Sequence, residues 1–298
     1  MESLAAALAD RVVLLDGGLA TRLEARGHDL SDTLWSARLL LTDPDEIRAT
    51  HADFYAAGAE VATTASYQVS ESGFAAAGYG AAEAREALRR SVRLAREAAD
   101  EYAGTRWVAA SVGPYGATLA DGSEYRGDYG LSVAELRAWH RPRLEILAEA
   151  GADLLACETV PSLAETEALA AELAALGVPA WISLTTVGDR TRRGEPASEA
   201  FAIAAEVPNV VALGANCCDP GDASLVVAAV GGRRPAIFYP NSGESWDAAA
   251  RNWTGAASVT GSARSWLAAG VRALGGCCRV SPAQIAAMRT ELSSGDPV

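Results

Sequence analysis

The stretch GADLLACETVPSLAETEALAAELAALGVPAWISLTT, residues 151–186, decides how the chain folds. Leu154 to Glu158 is a short apolar run of strand length. Ser162 to Leu176 follows with Ala, Leu and Glu at helical spacing, and Ala180 to Thr185 returns to a strand-length apolar run. A strand, a helix and a strand in this order read as a βαβ unit of a parallel sheet.

The same alternation extends in both directions. Upstream, strand-like runs stand at Val12 to Leu15, Val61 to Ser66 and Trp107 to Val112. Downstream they stand at Val210 to Gly214, Ala236 to Tyr239 and Ala273 to Gly276. Further helical patterns run over Ala81 to Tyr102, Ser132 to Ala150, Ser262 to Ala269 and Ser281 to Leu292. Eight such units close into a barrel more naturally than they spread into an open sheet. The expected fold is α/β, a (β/α)8 TIM barrel forming a single domain over residues 1–298, with 293–298 as a frayed tail. An open, doubly wound sheet is the alternative, and a dinucleotide-binding glycine fingerprint would mark it. The early glycine pair in Asp16-Gly17-Gly18 lacks the G-x-G-x-x-G spacing.

Charge and composition narrow the chemistry. With 25 basic and 38 acidic residues the formal net charge is -13, which repels phosphate backbones and anionic lipid surfaces, so neither nucleic acid nor membrane is an expected partner. The opening MESLAAALADRVVLL has no basic leader and is interrupted by Asp10 and Arg11, and no segment approaches about 18 uninterrupted apolar residues. A soluble, cytoplasmic protein is expected. No lysine occurs, so all 25 basic residues are arginine and Schiff-base or phosphate-loop lysine chemistry is excluded. Histidine occurs at His28, His51 and His140, the last two within helical patterns, so histidine acid-base catalysis has few candidates. Nothing in the sequence points to an oligomeric state.

In a barrel of this kind catalytic groups sit where strands end and the following loops begin. Those junctions read Leu15-Asp16-Gly17-Gly18, Thr63-Thr64-Ala65-Ser66-Tyr67, Ser111-Val112-Gly113-Pro114-Tyr115, Cys157-Glu158-Thr159, Thr185-Thr186, Gly214-Ala215-Asn216-Cys217-Cys218, Tyr239-Pro240-Asn241-Ser242 and Gly275-Gly276-Cys277-Cys278. Four of the five cysteines fall at the ends of the sixth and eighth strands. Three thiolates, from Cys217, Cys277 and Cys278, around one zinc ion per chain is the reading their spacing favours. Buried apolar thiols are the alternative, which Cys157 and Cys218 fit better, and a strained vicinal disulfide is a third. Adjacent strand residues point to opposite faces, so Cys277 and Cys278 can both ligate only if the chain has left strand geometry, a freedom Gly275 and Gly276 supply. Zinc with three thiolates carries about one net negative charge, which suits it poorly to activating water and well to holding a fourth thiolate. Alkyl transfer to a thiol is favoured over hydrolysis. The H-x-E and P-C-x-x-C elements of zinc deaminases are absent.

The markers LLDGGLATRLEARG, TTASYQ, SVGPYGATLADGSEYRGDY, GADLLACETVP, GANC, YPNSGE and GGCCR are those of a known family. Over nearly its whole length the chain resembles the homocysteine S-methyltransferases, and looks closest to the bacterial branch that uses S-methylmethionine or S-adenosylmethionine. The resemblance implies transfer of a methyl group from such a sulfonium donor to the zinc-bound thiolate of L-homocysteine, giving methionine. It implies Cys217, Cys277 and Cys278 as the zinc ligands and gives Cys218 no counterpart. Asp16 and Glu158 match the carboxylates that hold the homocysteine ammonium group, and Gly17 the amide that meets its carboxylate. Thr64, Ser66 and Tyr67 lie on the same rim and can hydrogen-bond substrate or orient a ligand. Trp35 and Tyr67 resemble aromatic positions near the reacting centre, and Trp35, Tyr125 and Asn241 are the donor-side candidates. Asn216 reads as a brace for the metal loop, and the polar segment Ala120 to Tyr129 as a lid. No general base on the protein is required. The rival readings are a zinc-dependent barrel hydrolase or lyase acting on a small polar substrate, and a non-catalytic homocysteine- or zinc-binding module. Barrel hydrolases usually present several rim histidines, which this rim lacks.

Overall fold

The computed structural model describes residues 2–247, 252–255 and 258–294. At its centre stand eight strands: β1 Val13–Leu14, β2 Val61–Thr63, β3 Trp107–Val112, β4 Leu154–Val160, β5 Ala180–Leu184, β6 Val210–Asn216, β7 Ala236–Tyr239 and β8 Val271–Leu274. Successive strands from β2 to β8 pair in parallel, and β8 pairs with β1. A parallel bridge between Leu15 and Val61 joins β1 to β2 and closes the ring. The chain is a (β/α)8 TIM barrel, not an open sheet.

The helical patterns fold as Ala81–Ala99, Val133–Glu149, Leu163–Leu176, Ala263–Ala269 and Pro282–Ser293. Ser132 and Ser162, read as the first residues of two of these, are N-caps whose hydroxyls accept from Glu135 N and Glu165 N. Six strand ends differ from expectation: β1 and β5 stop one residue early, at Leu14 and Leu184, and β4 and β6 run two residues further, to Val160 and Asn216. β2 stops at Thr63, because the run to Ser66 turns over into the following loop, and β8 stops at Leu274, before Gly275. The last helix runs to Ser293, inside the expected tail, and residues 295–298 lie outside the described residues.

Alternate strand residues face the barrel interior. At its lower end the filling is apolar, dominated by the fully buried Trp107 and Trp181, with Leu4 and Leu8 of the helix Leu4–Asp10 packed against the same cluster. Burying a large apolar side chain there contributes about 2–3 kcal/mol. The opposite face of the strands, including Leu14, Val108, Leu155, Cys157, Ile182 and Phe238, packs on the outer helices. Two residues further along the inward rows the chemistry changes to Thr63, Ser111, Glu158 and Ser183, with Asn216 and Tyr239 at the ends of β6 and β7. The same period-two pattern thus builds a dry core below and a polar rim above. Among the described residues, no helix is long and apolar enough to cross a membrane.

Candidate active site

Cys217 directly follows β6, and Cys277 and Cys278 lie just beyond β8. Their three Sγ atoms all lie within 4.8 Å of one another. Metal–sulfur bonds are about 2.3 Å long, so three sulfurs this close together would suit one shared ion. The set fits a thiolate-bound metal. Sulfur hydrogen bonds from Cys277 and Cys278 push the Cys217 thiol below its usual range, while making those bonds pushes both donors up. One thiol of the cluster is thus favoured as a thiolate, while the other two hold their protons toward it.

Each cysteine loop is held from several sides. Cys217 has φ 47, the left-handed region that costs a non-glycine residue about 1 kcal/mol or more. Its carbonyl accepts from Thr185 Oγ1 at 3.1 Å and Arg192 Nη2 at 3.3 Å. Cys277 N donates to Pro240 O at 2.7 Å and Cys278 N to Asn241 Oδ1 at 3.1 Å, while Asn241 N donates to Cys218 O at 3.1 Å. Asn241, a donor-side candidate from sequence, therefore ties the two cysteine loops together. Neither Gly275 nor Gly276 has positive φ; what they supply is room. A Cβ on Gly275 would stand 2.6 Å from Asp16 O, and one on Gly276 2.3 Å from a Val280 methyl. Cys157 and Cys218 are buried in the helix-facing core, where desolvation pushes both thiols up and leaves them inert.

Two carboxyl groups share this rim. Asp16, 3% exposed, accepts from Thr63 N at 2.7 Å and Thr63 Oγ1 at 3.0 Å, and burial raises it to about 7. Glu158, 7% exposed, accepts from Ser111 Oγ, and burial raises it to about 8, with the charges of Cys217 and Asp16 adding to the shift. Among the described residues neither pairs with an arginine. Two buried carboxyls without a counter-ion call for a cationic ligand. Gly17, next to Asp16 in the chain, is packed so closely that a Cβ would meet Val280 O at 2.5 Å and the Phe54 ring at 2.8 Å.

Other candidates divide between bracing and the open side. Thr64 Oγ1 lies 2.7 Å from Ser66 Oγ and accepts from Ser111 N at 3.0 Å, and Ser66 Oγ donates to Ser111 O at 2.7 Å. Both hydroxyls pin the loop to β3. Asn216 Oδ1 accepts from Ser183 Oγ at 2.9 Å, and Ser183 Oγ lies 2.5 Å from the Tyr239 hydroxyl. Trp35, itself left-handed at φ 52, meets Tyr67 edge to face at 6.4 Å. Tyr125 lies in the short helical turn Ser123–Tyr125, with Arg192 5.3 Å from its ring and its hydroxyl raised chiefly by the charge of Cys217. The neighbouring Glu124 is raised to about 7, mainly by burial.

Sequence reasoning passed over Thr63, Ser111, Ser183 and Tyr239 as site residues, although the inward period-two rows that carry Glu158 point to them. It took Glu124 only as one of the polar residues of the lid segment and passed over Arg192; both lie on loops where no periodicity places a side chain.

Residues 13–292 match the family model described as homocysteine S-methyltransferase. The chain is 48% identical to the homocysteine S-methyltransferase of Escherichia coli K12, covering 93% of this chain and 94% of that protein. It is 44% identical to the homocysteine S-methyltransferase YbgG of Bacillus subtilis 168, covering 92% of each. The crystal structure of the E. coli homocysteine methyltransferase MmuM in its metallated form superposes with a TM-score of 0.83 at 46% identity, covering 95% of this chain and 96% of that one. Fold and site thus define a methyltransferase built on an eight-stranded barrel. The chain belongs to the homocysteine S-methyltransferase family.

Proposed function

We propose that this protein is a single-domain enzyme that methylates L-homocysteine on one zinc ion held by Cys217, Cys277 and Cys278, with S-methylmethionine as the preferred donor and S-adenosylmethionine as the second. The observation that carries this reading is the convergence of three thiols within 4.8 Å on a rim that also holds two unpaired carboxyls. The metallated form of the E. coli relative supports the metal.

Cys217, Cys277 and Cys278 would hold the zinc, which would bind a substrate thiol in its thiolate form near neutral pH. Asp16 and Glu158 draw the acceptor's ammonium group, while the Gly17 backbone amide meets its carboxylate; together they fix the end of the amino acid opposite the sulfur. The donor approaches from the side of the loop after β3, where Tyr125 of that loop and Trp35 and Tyr67 of the segments after β1 and β2 offer aromatic faces to a sulfonium. The acceptor sulfur attacks the methyl carbon as the donor's carbon–sulfur bond breaks, and the bonding pair returns to the donor sulfur. Opposite charges cancel in this step, so a site closed to water favours it. No side chain has to take a proton from carbon or sulfur in the transfer itself.

The test is to give zinc-loaded protein L-homocysteine with each donor separately and to quantify methionine. Methionine should form with both, at a higher kcat/KM for S-methylmethionine. Its absence with both donors overturns the proposal.

A further inference from the structure

The loop after β3 holds a charged group that the reaction described above leaves unused. Glu124 sits in the turn Ser123–Tyr125, and its Oε2 is buried without a hydrogen-bond partner. Among the described residues it makes no ion pair, and the nearby Arg126 is turned to Asp121 and Asp128 at 3.4 and 3.6 Å. The turn is firmly built. Asp121 Oδ1 accepts from Ser123 N at 2.9 Å, and a Cβ on Gly116 would stand 2.5 Å from Glu124 N. Arg192 links this turn to the thiol loop, its guanidinium 5.3 Å from the Tyr125 ring and its Nη2 donating to Cys217 O at 3.3 Å, and the charge of Glu124 raises both Tyr67 and Cys278. A carboxylate oxygen buried in this way is unfavourable until a cation meets it.

Two cations are already accounted for. Among the described residues, the group that could hold a metal consists of Cys217, Cys277 and Cys278 without Glu124. The acceptor's ammonium group is matched to Asp16 and Glu158, which lie on and beside β1 and β4 rather than on this loop. The cation that remains is the onium centre of the donor. Next to Glu124 stand Tyr125 and, through their shared electrostatic contact, Tyr67 with Trp35 edge-on to it, the aromatic surroundings an onium favours.

We propose that Glu124 is the counter-ion of the donor's sulfonium and selects the charged donor over its neutral thioether product. This rests on the methyl-transfer reading above. When the methyl carbon leaves, the bonding electrons stay on the donor sulfur, which becomes a neutral thioether. The attraction to Glu124 ends at that moment, so it stabilises bound donor more than the transition state and eases product release. Removing it should weaken donor binding without slowing the chemical step.

Zinc-loaded wild type, Glu124→Gln and Glu124→Asp are compared. Glu124→Gln should raise the KM for S-methylmethionine about tenfold or more, with kcat maintained or increased and with bound zinc and the homocysteine KM unchanged. Inhibition by methionine in competition with the donor should stay the same, because methionine shares the ammonium and carboxylate groups but lacks the sulfonium. Glu124→Asp should recover most of the donor affinity. Equal weakening of S-methylmethionine and methionine, an unchanged donor KM, or loss of zinc would each overturn the proposal. Wild-type protein that makes no methionine from either donor would instead overturn the underlying reaction.

Discussion

Asn216 and Thr159 exchange two hydrogen bonds across the top of the barrel: Thr159 N donates to Asn216 Oδ1 at 2.7 Å, and Asn216 Nδ2 donates to Thr159 Oγ1 at 2.8 Å. Each partner adjoins a residue of the site, Glu158 on β4 and Cys217 after β6. Thr159 and Cys217 both hold positive φ, 60 and 47. The exchange locks a ligand-binding carboxyl and the first thiol into one unit, with the strained backbone on either side held by its geometry.

Replacing Asn216 by Ala leaves the Thr159 amide buried without a partner, at a cost of about 1–3 kcal/mol. Zinc affinity should fall 10–100-fold, on the order expected for a lost supporting contact, and the homocysteine KM should rise with it. Competition with a chromophoric chelator measures the first. Unchanged zinc affinity would show that the exchange does not position Cys217.

Cys217→Ser, Cys277→Ser and Cys278→Ser should each lose most bound zinc and nearly all methyl transfer, whereas Cys218→Ala should keep both. Metal analysis beside a methionine assay separates the four. Full zinc in any of the three serine variants would remove that cysteine from the metal site.

Asp16 gives a pH signature. Burial lifts its carboxyl from 3.8 to about 7, so the folded chain holds this proton more tightly than the unfolded chain does. Its contribution to stability therefore declines as pH rises from about 4 to about 7. An ammonium ligand favours the ionised form, so homocysteine should raise Tm more at pH 8 than at pH 6, and Asp16→Asn should reduce this difference. A homocysteine-induced Tm shift that ignores both pH and the substitution would argue against the assignment.

Gly276→Ala forces a methyl group to 2.3 Å from Val280, and overpacking of this kind costs about 1–3 kcal/mol. The loop carrying Cys277 and Cys278 should shift and release zinc. Adding Val280→Gly, which removes the Cβ at 2.4 Å together with both methyls, should restore part of both stability and metal, a coupling that a double-mutant cycle reads directly. Additive losses would place the fault elsewhere.

The alternation of strand and helix is legible in residue order because hydrophobic period is a local property, and eight repeats of it leave the barrel as the natural closure. The three cysteines stand out for a related reason: their positions past strand ends put them on one rim once that closure is granted. Other features depend on groups far apart in sequence. Gly275 and Gly276 look like hinges from composition alone, yet they serve as clearances for Asp16 and Val280. Thr64 and Ser66 look like substrate ligands, but their hydroxyls pin a loop to β3. Glu124 reads from sequence only as one polar residue of a lid-like segment, and its buried, unpartnered oxygen arises only when that loop folds. Periodicity governs which face a residue occupies. Which groups meet across that face, and which charges remain without a partner, is decided by the closing of the ring, which brings distant loops together and shuts out the water that would otherwise satisfy them.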